Sequence, residues 1–260
     1  MTGGELAADE PNERMPVKTK QRPVKNLPAT KAQAKPVDAQ HVVAELQRRG
    51  SKNVRDGMAR YAIPSDKAFG ISVGTLKTIA KRLGRDHHLA LALWNSGWYE
   101  ARMLAAFIDD PSAVTASQMD RWCREFDNWA IVDTVCFHLF DRTPYAWDKV
   151  TQWATRRAEF QRRAAFALLW SLTGHDKSAD DSKFIAGLRL IERAADDERN
   201  FVKKAVNMAL RAIGKRNRKL HAAALGSAMR LAASRSASAR WIGSDAAREL
   251  ESAAVTRRLT

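Results

Sequence analysis

A tryptophan and an aspartate stand four residues apart in the segment FDNWAIVDTVC, residues 126–136, which otherwise has the apolar pattern of a buried helix. Residues at positions i and i+4 share one face of a helix, so Trp129 and Asp133 are expected to lie side by side. An indole face and a carboxylate both attract cations. The pair is therefore suited to holding a cationic ligand.

An ionised carboxylate at Asp133 needs compensation, because burying one unpaired costs on the order of several kcal/mol. One alternative is a structural ion pair with an arginine of a neighbouring helical unit, which is a common reason for such an aspartate. The other is that the pair lines a groove and the compensating charge arrives with the ligand. Asp127 or Asn128 can cap the helix that begins near Trp129.

The segment between Lys203 and Lys219 carries seven basic residues and no acidic one. On a helix, Lys204, Met208, Arg211 and Lys215 share a face, opposite an apolar one. A solvated face is the ordinary reading of a charge run. Because this run contains no acids, it favours a surface that follows DNA phosphates. The predicted DNA contacts in this segment are Lys203, Lys204, Met208, Arg211, Lys215 and Arg216.

A second basic element is FQRRAAFALLW, residues 160–170. Its successive residues Arg162 and Arg163 point about 100 degrees apart on a helix, so one of them is placed to face inward. The ordinary role for such an arginine is a bond to a carbonyl or an aspartate of the neighbouring unit. Arg162 is also a predicted DNA contact.

The composition limits the partners. The 260 residues carry a formal charge of +15 and a pI near 10.2, which favours nucleic acid or an anionic membrane surface as partner. No apolar run is long enough for a bilayer span and no secretory signal is evident, so we expect a cytoplasmic, nucleoid-associated protein and no membrane partner. Two cysteines without CxxC spacing and six scattered histidines indicate ordinary packing and predict neither a metal nor a cofactor.

Proline divides the chain. Five of the eight prolines fall at or before Pro36, and residues 1–38, which have few large apolar side chains, are predicted to be a disordered basic tail. Residues 39–260 form the predicted folded domain, which carries most of the positive charge. Apolar residues recur there at helical spacing. The predicted helices are 39–50, 54–61, 72–84, 87–96, 98–109, 115–126, 128–140, 144–156, 158–173, 181–196, 199–214, 217–233 and 238–251.

Short connections between these helices favour antiparallel pairs. No sequence repeat of fixed period stands out, so a HEAT-like solenoid of helical hairpins with a concave basic groove is predicted from helix number and length. A closed all-α bundle is the alternative.

Six segments resemble the bacterial DNA alkylation repair glycosylases of the AlkD type, which are built from HEAT-like repeats. The resemblance covers most of residues 41–251, and the six segments follow the order of the family. They are MARYAI (58–63), LALALWNSGWYEARMLAAFI (89–108), FDNWAIVD (126–133), FQRRAAFALLW (160–170), FVKKAVNMALRAIGKRN (201–217) and SARWIGSDAARELES (238–252).

The resemblance implies an enzyme that hydrolyses the N-glycosidic bond of cationic N3- or N7-alkylated purines in duplex DNA. We expect the protein to be a monomer. Asp133 falls at the catalytic carboxylate, Trp129 at one of two tryptophans that cradle the lesion, and Arg163 at the arginine of the catalytic site. Tyr61 matches a tyrosine that contacts DNA. Met208 stands where the second tryptophan is expected, and its thioether is a weaker surface for a cation than an indole.

Two other functions remain open from the sequence. The chain could be a DNA-binding scaffold that keeps the solenoid and has lost excision, which Met208 favours, whereas the retained Trp129, Asp133 and Arg163 favour the enzyme. It could also bind an acidic protein, in which case its affinity for DNA would be weak and would not prefer duplex.

Overall fold

The structure is a computed structural model, and it describes residues 38–259. The regular secondary structure of these residues is helical and includes no strand, which confirms the all-α prediction there. Its α-helices are α1 (Ala39–Arg48), α2 (Lys52–Gly57), α3 (Val73–Leu83), α4 (His87–Asn95), α5 (Tyr99–Ile108), α6 (Ala116–Arg124), α7 (Trp129–His138), α8 (Ala146–Trp153), α9 (Glu159–His175), α10 (Asp181–Ala194), α11 (Asn200–Gly214), α12 (Arg218–Ala232), α13 (Ala237–Leu250) and α14 (Ala253–Leu259). Short 3-10 helices cover Met58–Tyr61 and Phe140–Arg142.

Polar side chains at the helix starts explain where several helices begin. Ser72 Oγ accepts the backbone N–H of Thr75 at 3.2 Å, and Asn128 Oδ1 accepts that of Ile131 at 3.0 Å. Each bond satisfies a donor that the first helical turn leaves unpaired. Ser72 thus caps α3, and Asn128 is the one of the two predicted candidates that caps α7.

The helices pack as a row of pairs. Helices α3, α5, α7, α9, α11 and α13 contact one another in that order. Helix α4 packs on α5, α8 on α9, α10 on α11 and α12 on α13, while α6 packs on α9. Each hairpin buries its apolar face against the next, which is how a helical-repeat array builds one continuous core. This arrangement brings the N-terminal halves of α7, α9 and α11 to one site.

The core is rich in aromatic side chains. Trp94 and Trp122 are fully buried and stack with ring centroids 3.9 Å apart. Phe140 and Trp153 extend this cluster towards α8. The two cysteines, Cys123 and Cys136, are free and buried, as the prediction of ordinary packing requires.

A buried carboxylate attaches the N-terminal helices to the row. Glu100 on α5 is fully buried, and its oxygens accept three backbone N–H groups, from Phe69 at 2.9 Å, Gly70 at 2.7 Å and Ile71 at 3.2 Å. Gly70 has φ +83° and lies so close to the carbonyl oxygen of Ser51 that a Cβ atom there would meet it at 2.2 Å. The segment between Tyr61 and α3 is therefore fixed against α5.

The predicted tail, residues 1–38, lies outside the described residues except for Asp38, which caps α1. Of the helices between residues 38 and 259, none is long and apolar enough to cross a membrane. Within the same residues, no group of three or more histidine, cysteine or acidic side chains is placed to hold a metal ion.

Candidate active site

A cleft of about 370 Å³ opens where α7, α9 and α11 meet the segment that follows α2. Trp129 and Asp133 both line it, as their spacing on one helix face predicts. The lining residues are Arg60, Tyr61, Ala62, Trp129, Asp133, Arg163, Asn200, Phe201, Lys204 and Met208. The structure thus brings together six predicted site residues from four separate segments: Tyr61, Trp129, Asp133, Arg163, Lys204 and Met208.

Asp133 pairs with Arg163 across the boundary between α7 and α9. Arg163 Nε donates to Asp133 Oδ1 at 3.0 Å and Nη2 donates to Oδ2 at 2.7 Å. Only 20% of the Asp133 side chain and 4% of the Arg163 side chain are exposed. This two-point contact fixes the carboxylate plane and position. The compensating charge for Asp133 therefore comes from the protein, which corrects the alternative that a ligand must supply it.

Burial raises the pKa of Asp133 above its ordinary value, and the charge and hydrogen bonds of Arg163 oppose that rise. The positive charge of the guanidinium favours the ionised carboxylate. The cleft consequently contains a partly exposed, oriented carboxylate with one fixed cationic partner.

The indole of Trp129 is fixed by the opposite wall of the cleft. Its Nε1–H donates to the backbone carbonyl of Tyr61 at 2.8 Å, while the guanidinium of Arg163 lies 6.0 Å from the ring centroid. Ala62, which follows Tyr61, has φ +53°, a left-handed conformation that costs a non-glycine residue about 1–2 kcal/mol. Such strain is characteristic of functional sites. The Tyr61 phenol itself remains largely exposed at the rim.

Helix α9 also holds the start of α11. Arg163 Nη1 donates to the backbone carbonyl of Phe201 at 2.8 Å, and Glu159, one turn earlier, accepts the backbone N–H of Phe201 at 3.3 Å. The Arg163 side chain is thereby engaged on three of its nitrogen atoms by protein acceptors. We predicted an arginine of the catalytic site; its observed contacts orient Asp133 and α11.

Of the predicted basic face on α11, the N-terminal half lines the cleft and the C-terminal half does not. Lys204 and Met208 are lining residues. Arg211 lies 3.6 Å from Asp245 and also pairs with Glu249, which pairs in turn with Lys215. The interpretation of this run as unbalanced by acids was wrong, because α13 supplies acidic partners that are distant in sequence.

Three further predicted DNA contacts lie away from the cleft. Arg162 donates to the Ala154 carbonyl at 3.1 Å and to Asp197 at 2.9 Å, which is the ordinary role considered for it. Arg216 donates at 2.8 Å to the carbonyls of Thr173 and Asp176, near the end of α9. Lys203 turns towards α13, with its ammonium 5.2 Å from the centroid of Trp241. Successive residues of a helix face different neighbours, which explains the separation of Lys203 from Lys204.

Sequence reasoning did not single out Arg60, Ala62, Asn200 and Phe201, which also line the cleft. Phe201 contributes its backbone carbonyl, and a carbonyl leaves no signal in a pattern of side chains. Arg60 and Ala62 do adjoin Tyr61 in the MARYAI segment, so its neighbours were the available signal.

The fold and cleft together define a class: a helical-repeat protein whose cleft presents one oriented carboxylate, one indole and basic side chains. The family model described as DNA alkylation repair enzyme matches residues 42–250. The chain belongs to this family.

One solved structure is similar in fold. It is described as "A new family of proteins related to the HEAT-like repeat DNA glycosylases with affinity for branched DNA structures". The match has a TM-score of 0.67 and 24% sequence identity, and it covers 74% of this chain and 83% of that chain. The predicted HEAT-like repeat fold is thereby confirmed. Curated proteins give no significant match in sequence.

Proposed function

We propose that the protein is a DNA glycosylase that hydrolyses the N-glycosidic bond of cationic N3- or N7-alkylated purines in duplex DNA. The observation that carries this proposal is the placement of Trp129 and the Arg163-oriented Asp133 in one open cleft of a DNA alkylation repair family member. The cleft has Lys204 at its edge, and the formal charge of the chain is +15. Both suit a polyanionic substrate.

A single carboxylate is sufficient for this reaction. Ordinary glycoside hydrolysis uses two carboxyl groups, because the leaving oxygen must be protonated while the sugar is attacked. An alkylated purine is already cationic and leaves as a neutral base, so no general acid is required. The remaining need is to stabilise the oxocarbenium-like sugar, whose positive charge develops near C1′ as the bond breaks.

In this mechanism Asp133, in its ionised form, stabilises the developing charge and orients the attacking water. Trp129 packs against the deoxyribose and the cationic lesion with its indole face. Arg163 holds Asp133 in position through the two-point contact, and Lys204 and Tyr61 contact the DNA backbone at the rim. An open cleft is compatible with a lesion that is not extruded into a deep pocket, unlike the substrates of base-flipping glycosylases.

A second candidate is a DNA-binding protein that does not excise bases. Two observations favour it: a thioether occupies the position of the expected second indole, and both oxygens of Asp133 already accept bonds from Arg163. The solved structure similar in fold belongs to a group described as having affinity for branched DNA. For this chain, that activity would predict tight binding of DNA junctions without any change to the bases.

Incubation with methylated duplex DNA separates the two candidates. The enzyme releases free modified bases and leaves abasic sites, at which alkali then cleaves the strand. The scaffold binds the same DNA and leaves it intact. An acidic protein partner would be indicated by weak binding to DNA of any form. The dependence of affinity on salt is a further test, because a protein that makes many phosphate contacts shows a steep one.

Replacing Met208 with tryptophan is expected to increase the rate of base release. An indole adds a cation–π surface worth about 0.5–1 kcal/mol at an exposed site, which corresponds to about a two- to fivefold rate increase. Met208→Leu is the matched control, because it conserves an apolar side chain of similar volume and should leave the rate unchanged. An equal rate in Met208→Trp and wild type would show that this position does not contact the lesion.

The rate of base release is expected to decrease on acidification, starting above the usual titration range of aspartate. Asp133 must be ionised to act, and its pKa is raised by burial. The raised pKa of Asp133 also affects the free energy of unfolding, and here the dependence on pH has the opposite sign. Its stabilising contribution is fully present below the pKa that Asp133 has in the unfolded chain, and it is lost as the pH rises through the pKa of the folded state. Arg163→Met should move the acidic limb of the rate profile to higher pH, because Arg163 lowers this pKa. An unchanged limb in that variant would assign the titration to another group.

A further inference from the structure

Trp241 is a large aromatic side chain on the surface of α13. It is 42% exposed, and its indole nitrogen forms no hydrogen bond with any residue in 38–259. Tyr61 is the other aromatic residue among the strongly exposed hydrophobic side chains of this part of the chain, and it lines the cleft. The Lys203 ammonium lies 5.2 Å from the Trp241 ring centroid. Trp241 thus presents a partly exposed indole ring beside a cation.

This ring lies on α13, which packs against α11, one of the helices that form the candidate active site. Lys203, which contacts it, is followed directly in α11 by Lys204, which lines the cleft. Two bonds fix α13 in this position: Ser238 Oγ donates to the Asp197 carbonyl at 2.8 Å, and Asn207 Nδ2 donates to the Ile242 carbonyl at 3.3 Å. The helix that carries Trp241 is therefore fixed in position, one helix beyond the cleft.

The ion pairs between α11 and α13 limit where a polyanion fits. Towards the C-terminal ends of these helices, Arg211 and Lys215 are neutralised by Asp245 and Glu249. At the N-terminal end of α11, Lys203 and Lys204 form no ion pair with a described residue. A DNA strand that leaves the cleft is thus favoured at the end where Trp241 lies.

We propose that Trp241 and Lys203 form a stacking site for an unpaired base of the DNA strand that leaves the cleft. The inference rests on the proposed function in one respect, namely that DNA occupies the cleft. Aromatic side chains stack with any base, because each base has a π face, and a neighbouring lysine attracts the backbone. The site would hold a flanking nucleotide and would take no part in bond cleavage.

The test uses two labelled duplexes of equal length, one fully paired and one with a short internal run of unpaired thymines. Their affinities for the full chain are measured by fluorescence anisotropy at fixed salt. Trp241→Ala should bind the duplex with unpaired thymines about tenfold more weakly, given the usual contribution of one base–aromatic stack. Its affinity for the fully paired duplex should change by less than about twofold, and Trp241→Phe should retain most of the affinity for both.

Met229→Ala is the matched control, because Met229 is 59% exposed on α12 and does not line the cleft. It should change neither affinity. Equal losses on both duplexes in Trp241→Ala, or no loss on either, would overturn the stacking site. The latter result would be expected if this face binds a protein. Base release by wild type is measured in parallel: its absence would reject the glycosylase and leave the stacking site to be judged by the two affinities.

Discussion

Asp133→Asn is expected to reduce the single-turnover rate of alkylated base release by about 10²–10³, the size of effect seen when a preorganised electrostatic group is removed from a transition state. An amide cannot supply the negative charge that opposes the developing charge on the sugar. Affinity for duplex DNA should remain close to that of wild type, because Asp133 repels phosphate rather than binding it. The two readouts, rate and affinity, should therefore separate.

A control is needed for stability, since the substitution leaves Arg163 buried without its ionic partner. Asp120→Asn is matched to it: Asp120 is 26% exposed and pairs at 2.6 Å with the buried Lys149, away from the cleft. Asp120→Asn should lose thermal stability and retain the rate of base release. A similar rate loss in both variants would attribute the effect of Asp133→Asn to unfolding.

Glu100→Gln is expected to lower the free energy of unfolding by about 3 kcal/mol, because bonds to a charged acceptor contribute about 1.5–3 kcal/mol each. Its carboxylate accepts three backbone N–H groups from the segment Phe69 to Ile71. A glutamine offers one acceptor oxygen and turns an N–H donor towards another donor. In a domain of this size the midpoint of thermal unfolding should fall by about 10 °C.

Glu125→Gln provides the comparison for Glu100→Gln. Glu125 also accepts side-chain bonds, from Trp94 at 2.7 Å and Arg102 at 3.3 Å, but it is 36% exposed. Glu125→Gln should lower the free energy of unfolding by no more than about 1 kcal/mol, as for other exposed pairs. Comparable shifts in both variants would show that burial of Glu100 is not what makes its bonds important.

The helices could be predicted from the sequence because each repeat buries an apolar stripe at helical spacing. The predicted helix at 199–214 is observed as α11, and that at 181–196 as α10. The helix α14 was missed, because its segment AAVTRRL spans only about two turns and has a single buried residue, Val255. The predicted helix 54–61 is observed as α2 followed by a 3-10 helix, and no periodicity distinguishes the two over so few residues.

The candidate site was less accessible to prediction, for a physical reason. The helix period places Trp129 with Asp133 and Lys204 with Met208, because each pair lies within one element. Contacts between elements depend on packing. The partners of Arg211 and Lys215 are more than thirty residues away on α13, and the partner of Arg163 is on α7. No local pattern indicates whether a basic residue meets phosphate or an acid of the next repeat.

The Asp133–Arg163 pair connects the two readings of Asp133. It is a structural ion pair between repeats, and it also lies on the wall of an open cleft beside an indole. A pair with a purely structural role requires no exposure of the carboxylate, whereas 20% of the Asp133 side chain is exposed. The arginine thus orients a carboxylate that a bound substrate can still reach.

The most direct test is the single-turnover release of 7-methylguanine and 3-methyladenine from methylated duplex DNA by wild type, with Asp133→Asn beside it. Wild type is expected to release both bases well above the spontaneous rate, and Asp133→Asn is expected to release them at close to the spontaneous rate. Release that continues unchanged in Asp133→Asn would remove this carboxylate from the mechanism. No release by wild type, with tight and salt-sensitive binding to DNA, would contradict the glycosylase and identify a DNA-binding protein built on the same fold.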